Sequence, residues 1–185
     1  RWVIKCKLYL ETPAHFGNGE ADALTDMPLL LNEIDQKPLL LGTSIAGALR
    51  NCLREVEAGF GVKHPDYDKE KEKEKERELY SSILFGGSRY DDKGSQSALI
   101  VHDALGTPTG MELRDGVAID AETRTADDGK KFDIQLLSAG SSFDLQFELL
   151  ICQNDDKEKL LKALATALHG LEDGQVTLGA RKRRG

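Results

Sequence analysis

No stretch of this 185-residue chain approaches the roughly 18 consecutive apolar residues that a membrane-spanning helix needs. Its first residues also lack the basic, apolar and small-residue blocks of a secretory signal. Cysteine is sparse: Cys6, Cys52 and Cys152 are odd in number, far apart and without a C-x-x-C pair. Neither a disulfide framework nor a zinc site is suggested, and a reducing, cytoplasmic setting fits. Aromatic residues make up 6% of the chain and charged residues 31%, which implies a well-solvated surface. An overall basic charge is absent as well. The net charge of −7 lowers the expectation of non-specific duplex binding, although Arg181, Lys182, Arg183 and Arg184 concentrate positive charge in one run. No G-x-x-x-x-G-K-[ST] phosphate loop occurs, since only Thr43 to Ala46 separate Gly42 from Gly47.

What is present fits a single domain with a charged insertion. Trp2 to Leu10 alternates as a strand, with Trp2, Ile4, Cys6, Leu8 and Leu10 on one face. Glu11 to Asp26 reads as a loop, and Leu29–Leu31 and Pro38–Leu41 as short strands around a turn. A helix follows from Ser44 to about Glu57, capped by Thr43 or Ser44. Lys69–Glu78 alternates lysine and glutamate within an insertion at about 63–78, and reads as a solvated helix or disordered segment. Leu79–Phe85 is a further helical piece, Ala98–Val101 a buried strand, and 105–140 an extended hairpin. Phe143–Cys152 is a strongly alternating strand. Asp155 or Asp156 caps a helix to about Leu168, and Val176–Leu178 suggests a last strand. This order of elements is that of a ferredoxin-like α+β fold.

Leu39 to Arg54 is the segment richest in chemistry. An apolar strand turns at Gly42-Thr43-Ser44 into a helix whose Gly47 leaves its surface open and whose Arg50 and Arg54, four residues apart, share a face. Free N–H groups, a hydroxyl and guanidinium groups together suit an anion, yet an ordinary capped helix packed on a sheet accounts for the same residues. His15, in a Gly-rich loop, suits either acid–base chemistry or packing of that loop. His64, His102 and His169 have no metal-ligand spacing, and His102 is expected to be structural. Because the chain begins at Arg1 rather than methionine, it also reads as a fragment or as one module of a longer, fused polypeptide.

Taken in order, T-P-A-H-F-G-N-G (12–19), T-D-M-P (25–28), L-L-L-G-T-S-I-A-G-A-L-R (39–50), L-F-G-G-S (84–88), V-H-D-A (101–104), R-D-G-V-A-I-D-A-E-T-R-T-A (114–126) and L-G-A-R-K-R-R-G (178–185) carry a resemblance. The chain resembles the RAMP superfamily and, within it, the repeated backbone subunit of type III CRISPR effector complexes. The resemblance implies a ferredoxin-like palm with a protruding β-hairpin thumb. It implies a protein that binds CRISPR guide RNA, stacks with other effector subunits or modules along it, and cleaves complementary target RNA. Thumbs of this kind insert between the bases of guide and target.

By motif match, Asp26 stands where the family's catalytic aspartate is expected, with Asp22 as its rival, although a loop aspartate on its own is most often a turn former. The chemistry implied uses a divalent cation, Mg2+ or Mn2+, at Asp26 and no organic cofactor. His15, Ser44, Gly47, Arg50, Arg54, Arg114, Arg124, Arg181, Lys182, Arg183 and Arg184 are the implied RNA contacts. Two departures stand out: Ala180 occupies a position where glycine is usual, and the lysine–glutamate insertion has no counterpart. Three other readings stay open. They are a nuclease-inactive scaffold of the same complex, a stand-alone endoribonuclease that matures guide RNA through His15, and an anion-binding α+β domain unrelated to RNA.

Overall fold

The computed structural model describes the chain except at residues 18, 20, 22–24, 63–68, 89–90, 121, 154 and 180–185, and except for the side chains of 127–130. The rival Asp22 and the basic run Arg181, Lys182, Arg183 and Arg184 therefore lie outside the described residues. The elements are β1 (Trp2–Tyr9), β2 (Leu39–Leu40), α1 (Gly42–Ala58), α2 (Glu70–Arg77), α3 (Tyr80–Phe85), β3 (Leu99–Val101), β4 (Ala104–Thr107), β5 (Met111–Ile119), β6 (Ala126–Leu137), β7 (Ser142–Leu149) and α4 (Lys157–Glu172). This is an α+β chain with antiparallel strand pairing. Hydrogen bonding orders one sheet β1-β7-β4-β2, with β3 also on β7, while β5 and β6 form a separate ribbon. The chain divides into two compact units, and β1 and β7 each contribute residues to both.

The first unit comprises Arg1–Lys5, Leu41–His102 and Gln146–Thr177. Here β3 pairs with the second half of β7, Leu99 opposite Leu149 and Val101 opposite Phe147. The buried stripes of α1 (Ile45, Leu49, Leu53) and α4 (Leu160, Ala163, Leu164, Ala167) recur every three or four residues, as core-facing helices require. Asp156 caps α4, its carboxylate accepting from the Lys159 amide. The helix runs one turn past Leu168, and its Gly170 lies so close to Cys52 of α1 that a Cβ there would sit 2.6 Å from the sulfur.

Three local expectations are corrected in this unit. Helix α1 starts at Gly42 after Leu41, so Thr43 and Ser44 lie in its first turn, and neither side chain caps it. Gly42 meets the Val101 carbonyl so closely that a Cβ would collide with it, so the first helical position admits only glycine, and the Leu41 carbonyl, at the strand end, accepts from Ser44 and Ile45. Val176–Leu178 forms no strand. The Val176 amide instead bonds the Gly170 carbonyl and closes the end of α4. The lysine–glutamate stretch forms α2, which is not wholly solvated: Glu76 is buried against Arg54.

The second unit comprises Cys6–Leu40, Asp103–Leu145 and Leu178–Gly185. Here β4 pairs with β2 and with the first half of β7. Phe143 is buried and receives the edge of Phe16, ring centroids 5.5 Å apart at 86°. Gly106 makes room for that ring, since a Cβ would stand 2.7 Å from it. Strands β5 and β6 form a hairpin with Asp115 opposite Asp133 and a register shift between Val117 and Ile119. Pro38–Leu41 contributes only the two residues of β2, and Leu29 and Leu31 make single bridges, to Gly17 and Pro38, rather than a strand.

Candidate functional site

Asp26 stands at the end of the loop that follows β1, and β6 is what positions it. The Met27 amide donates to the Asp133 carbonyl at 3.0 Å, and the Gln135 amide donates to the Met27 carbonyl at 3.0 Å, a one-residue parallel bridge. Beside this bridge the Asp133 amide donates to Oδ2 of Asp26 at 2.9 Å. Asp26 is otherwise exposed, so one carboxylate oxygen is fixed on the strand and the group as a whole faces solvent. Charge-assisted bonds of this kind hold a carboxylate in one orientation.

Asp26 sits in a negative field. The Asp133 carboxyl is hydrogen-bonded to that of Asp115 across the hairpin, which, with desolvation and the charges of Asp115 and Asp26, pushes it above the usual aspartate range. Three carboxyls thus converge at the edge of the β5–β6 ribbon. Nevertheless, among the described residues no group of three or more His, Cys, Asp or Glu has an arrangement that would hold a metal ion by itself. The donor set suits a hard cation only if substrate phosphate oxygens and water complete the coordination, which is how Mg2+ is commonly held.

His15 is buried, 7% exposed, and its Nδ1 lies 2.8 Å from the Gln135 carbonyl. A carbonyl only accepts, so the proton is on Nδ1. The ring packs on Gly17, where a Cβ would collide with it, and the His15 carbonyl packs on Gly179, whose φ is +100°. Of the readings open for His15, this geometry fits packing of the loop; the side chain offers little surface to RNA.

On the exposed side of α1, Ser44 and Gly47 are solvent-facing, and a Cβ at Gly47 would meet nothing within 4 Å. Arg50 is half-buried further along the helix. Arg54 turns inward: it is 6% exposed, its Nε donates to Glu76 at 2.9 Å and one terminal nitrogen to the Val62 carbonyl at 3.0 Å. The expectation that Arg50 and Arg54 form one RNA-facing pair is corrected by this burial. On the hairpin, Arg114 is exposed and bonded to Glu112 at 2.8 Å, which holds the Glu112 carboxyl below its usual range. Arg124 is exposed in the turn, with φ +55° and its amide on the Asp120 carbonyl. His102 donates to the buried Glu148 carboxylate at 3.0 Å.

Asp115, Asp133 and Gln135 were not singled out from the sequence. The alternation of Phe132-Asp133-Ile134-Gln135 is visible there, but which residues stand opposite each other depends on the hairpin register, and the Asp26 loop crossing β6 leaves no local signal.

A family model described as "RAMPs: RAMP superfamily" matches residues 7–185. Among solved structures, the "Cryo-EM structure of the Type III-B Cmr-beta bound to cognate target RNA" contains a chain that matches 99% of this one, with a TM-score of 0.68 and 12% identity. The match spans only 56% of that chain. No curated protein matches. Among the described residues, no helix is long and apolar enough to cross a membrane.

Proposed function

Given that the chain belongs to the RAMP superfamily, we propose that it is a backbone subunit or module of a cytoplasmic type III CRISPR effector complex, which holds guide RNA and cleaves complementary target RNA at Asp26. The observation that supports this reading best is Asp26 itself: an exposed carboxylate at the motif position, fixed on β6 by a main-chain amide and free to act on the solvent side. The chain's partners in this reading are the guide RNA, the target RNA and neighbouring subunits stacked along the guide. The fold would be a ferredoxin-like palm in a single RAMP domain, with the β5–β6 hairpin as its thumb.

In the proposed reaction Asp26 accepts the proton of the 2′-hydroxyl next to the scissile phosphate. The 2′-oxygen attacks phosphorus, the bond to the 5′-oxygen breaks, and that oxygen takes up a proton. The products are a 2′,3′-cyclic phosphate and a 5′-hydroxyl. Asp26 is the residue that would hold a divalent cation, Mg2+ or Mn2+, and such an ion would supply charge neutralisation at the scissile phosphate. The chain's own part is to fix Oδ2 through the Asp133 amide, which leaves the other oxygen to face the substrate. Sequence is read by base pairing between guide and target, and the protein contributes phosphate contacts. Ser44, Gly47 and Arg50 on the open side of α1, Arg114 and Arg124 on the hairpin, and the basic run 181–184 are the candidates for those contacts.

Asp26→Asn in the assembled ribonucleoprotein tests the assignment. The expected result is a loss of target cleavage of about 100-fold or more with guide binding retained. Cleavage at the wild-type rate at the position this module covers would overturn the assignment to Asp26, and no cleavage there by the wild-type complex would leave the nuclease-inactive scaffold as the function. The stand-alone reading, in which His15 matures guide RNA, is disfavoured by the burial of that ring.

A further inference from the structure

We propose that Gln135 is a positioning residue for Asp26: its side-chain oxygen sets the register in which the catalytic loop lies on β6. The proposal rests on the reading of Asp26 above. Gln135 bonds the loop on both sides of Asp26. Its main-chain carbonyl accepts from Nδ1 of His15 at 2.8 Å, its amide donates to the Met27 carbonyl at 3.0 Å, and its Oε1 accepts from the Leu29 amide at 3.0 Å. Both loop ends are dry, with His15 7% and Leu29 4% exposed. The first two bonds come from the main chain, which any residue would supply. Only the third depends on the side chain.

That third bond matters because the pairing beside it is thin. Met27 and Ile134 make an isolated parallel bridge, not a ladder. A slip by one residue would turn Asp26 to the other side of the segment, since side chains alternate along extended backbone. It would also take Oδ2 away from the Asp133 amide that now holds it. A side-chain acceptor fixed opposite the Leu29 amide distinguishes the observed register from the slipped one. Without it a buried N–H is left unpaired, and the observed register loses its advantage.

The test uses the assembled complex with its guide. Gln135→Met keeps the length and removes the acceptor, whereas Gln135→Glu keeps an oxygen at that place. The expected result for Gln135→Met is a single-turnover cleavage rate lower by about 10- to 100-fold at saturating target, the scale on which small displacements of catalytic groups act. Target affinity should stay within about threefold, and Gln135→Glu should recover most of the rate. If Gln135→Met does not assemble, Gln135→Asn, too short to reach the Leu29 amide, takes its place with the same expected split. An unchanged rate in the acceptor-less variant overturns the proposal. So does a rate that falls equally in Gln135→Met and Gln135→Glu, or one that falls only in proportion to lost assembly. Asp26→Asn is measured in parallel. An active Asp26→Asn complex removes the underlying reading, while an inactive one beside a fully active Gln135→Met removes only the role of Gln135.

Discussion

Replacing Glu76 by alanine takes one buried carboxylate away from the Arg54 guanidinium inside the first unit. Both side chains are nearly enclosed: Arg54 is 6% and Glu76 9% exposed, with the donor 2.9 Å from the acceptor. Removing one member of a buried pair typically costs about 3–5 kcal/mol, because the remaining charge keeps its desolvation penalty without its counter-charge. Here Arg54 keeps its bond to the Val62 carbonyl and a further interaction, so about 3 kcal/mol, the lower end of that range, is expected. For a chain of this size that corresponds to about 6–12 °C in melting temperature. The double variant Arg54→Leu/Glu76→Leu removes both charges and should lie within about 1–2 kcal/mol of the wild type. Urea titration followed by circular dichroism measures both, and co-purifying RNA is scored on the same samples. A Glu76→Ala variant that loses less than about 1 kcal/mol, or a double variant as unstable as the single, refutes the reasoning. A stable double variant that has lost its guide RNA would return Arg54 to the RNA contacts.

Gly170→Ala should destabilise the chain by about 1–3 kcal/mol, since its Cβ would stand 2.6 Å from Cys52 Sγ, and adding Cys52→Ala should recover most of the loss in thermal melts. Equal losses in the single and double variants would show that the close approach is not the cause. Asp133 is the clearest case for pH dependence. Its carboxyl is raised above 3.8 by the Asp115 hydrogen bond, burial and the charges of Asp115 and Asp26, with Lys131 opposing. The folded state therefore holds this proton more tightly than the unfolded one. Its contribution is complete below about pH 3.8 and is lost as pH rises through the higher folded value. Asp115→Asn removes the like-charged partner, so its urea midpoint should gain on the wild type between pH 4 and pH 7. Parallel curves over that range would contradict the pairing.

How legible the fold was depended on whether a segment's partners were local. The α4 stripe from Leu160 to Ala167, the alternation of Phe143–Leu149 and the hairpin within 105–140 were readable, because period and burial go together over a few residues. Serine and threonine are good caps, which points the start of α1 to Thr43 or Ser44, whereas the helix begins at Gly42, which packs tightly against Val101, nearly sixty residues away. The charged run 70–77 was misread in part for the same reason. Its lysine–glutamate alternation describes a solvated helix, and only the pairing of Glu76 with Arg54, 22 residues upstream, says that one side is buried. At the candidate site, the motif points to Asp26. It does not point to the supports of that residue, since Asp133 and Gln135 lie 107 and more residues away and meet the loop only through the register of β6.

The surroundings of Asp26 also constrain how such a site would work. A carboxylate beside Asp115 and Asp133 repels an approaching phosphate, so the local field disfavours binding at the very place where the cut is proposed. Binding energy must then come from contacts elsewhere, on surfaces such as the open side of α1 and the hairpin arginines, and from guide–target pairing. That division yields a kinetic signature. Raising ionic strength should weaken retention of guide and target through the loss of phosphate contacts. By screening the repulsion at Asp26, and with the divalent cation held saturating, it should leave the single-turnover rate of already assembled complexes unchanged or slightly higher. A cleavage rate that falls with salt as steeply as binding does would mean that cationic groups, and not the aspartate cluster alone, surround the scissile phosphate.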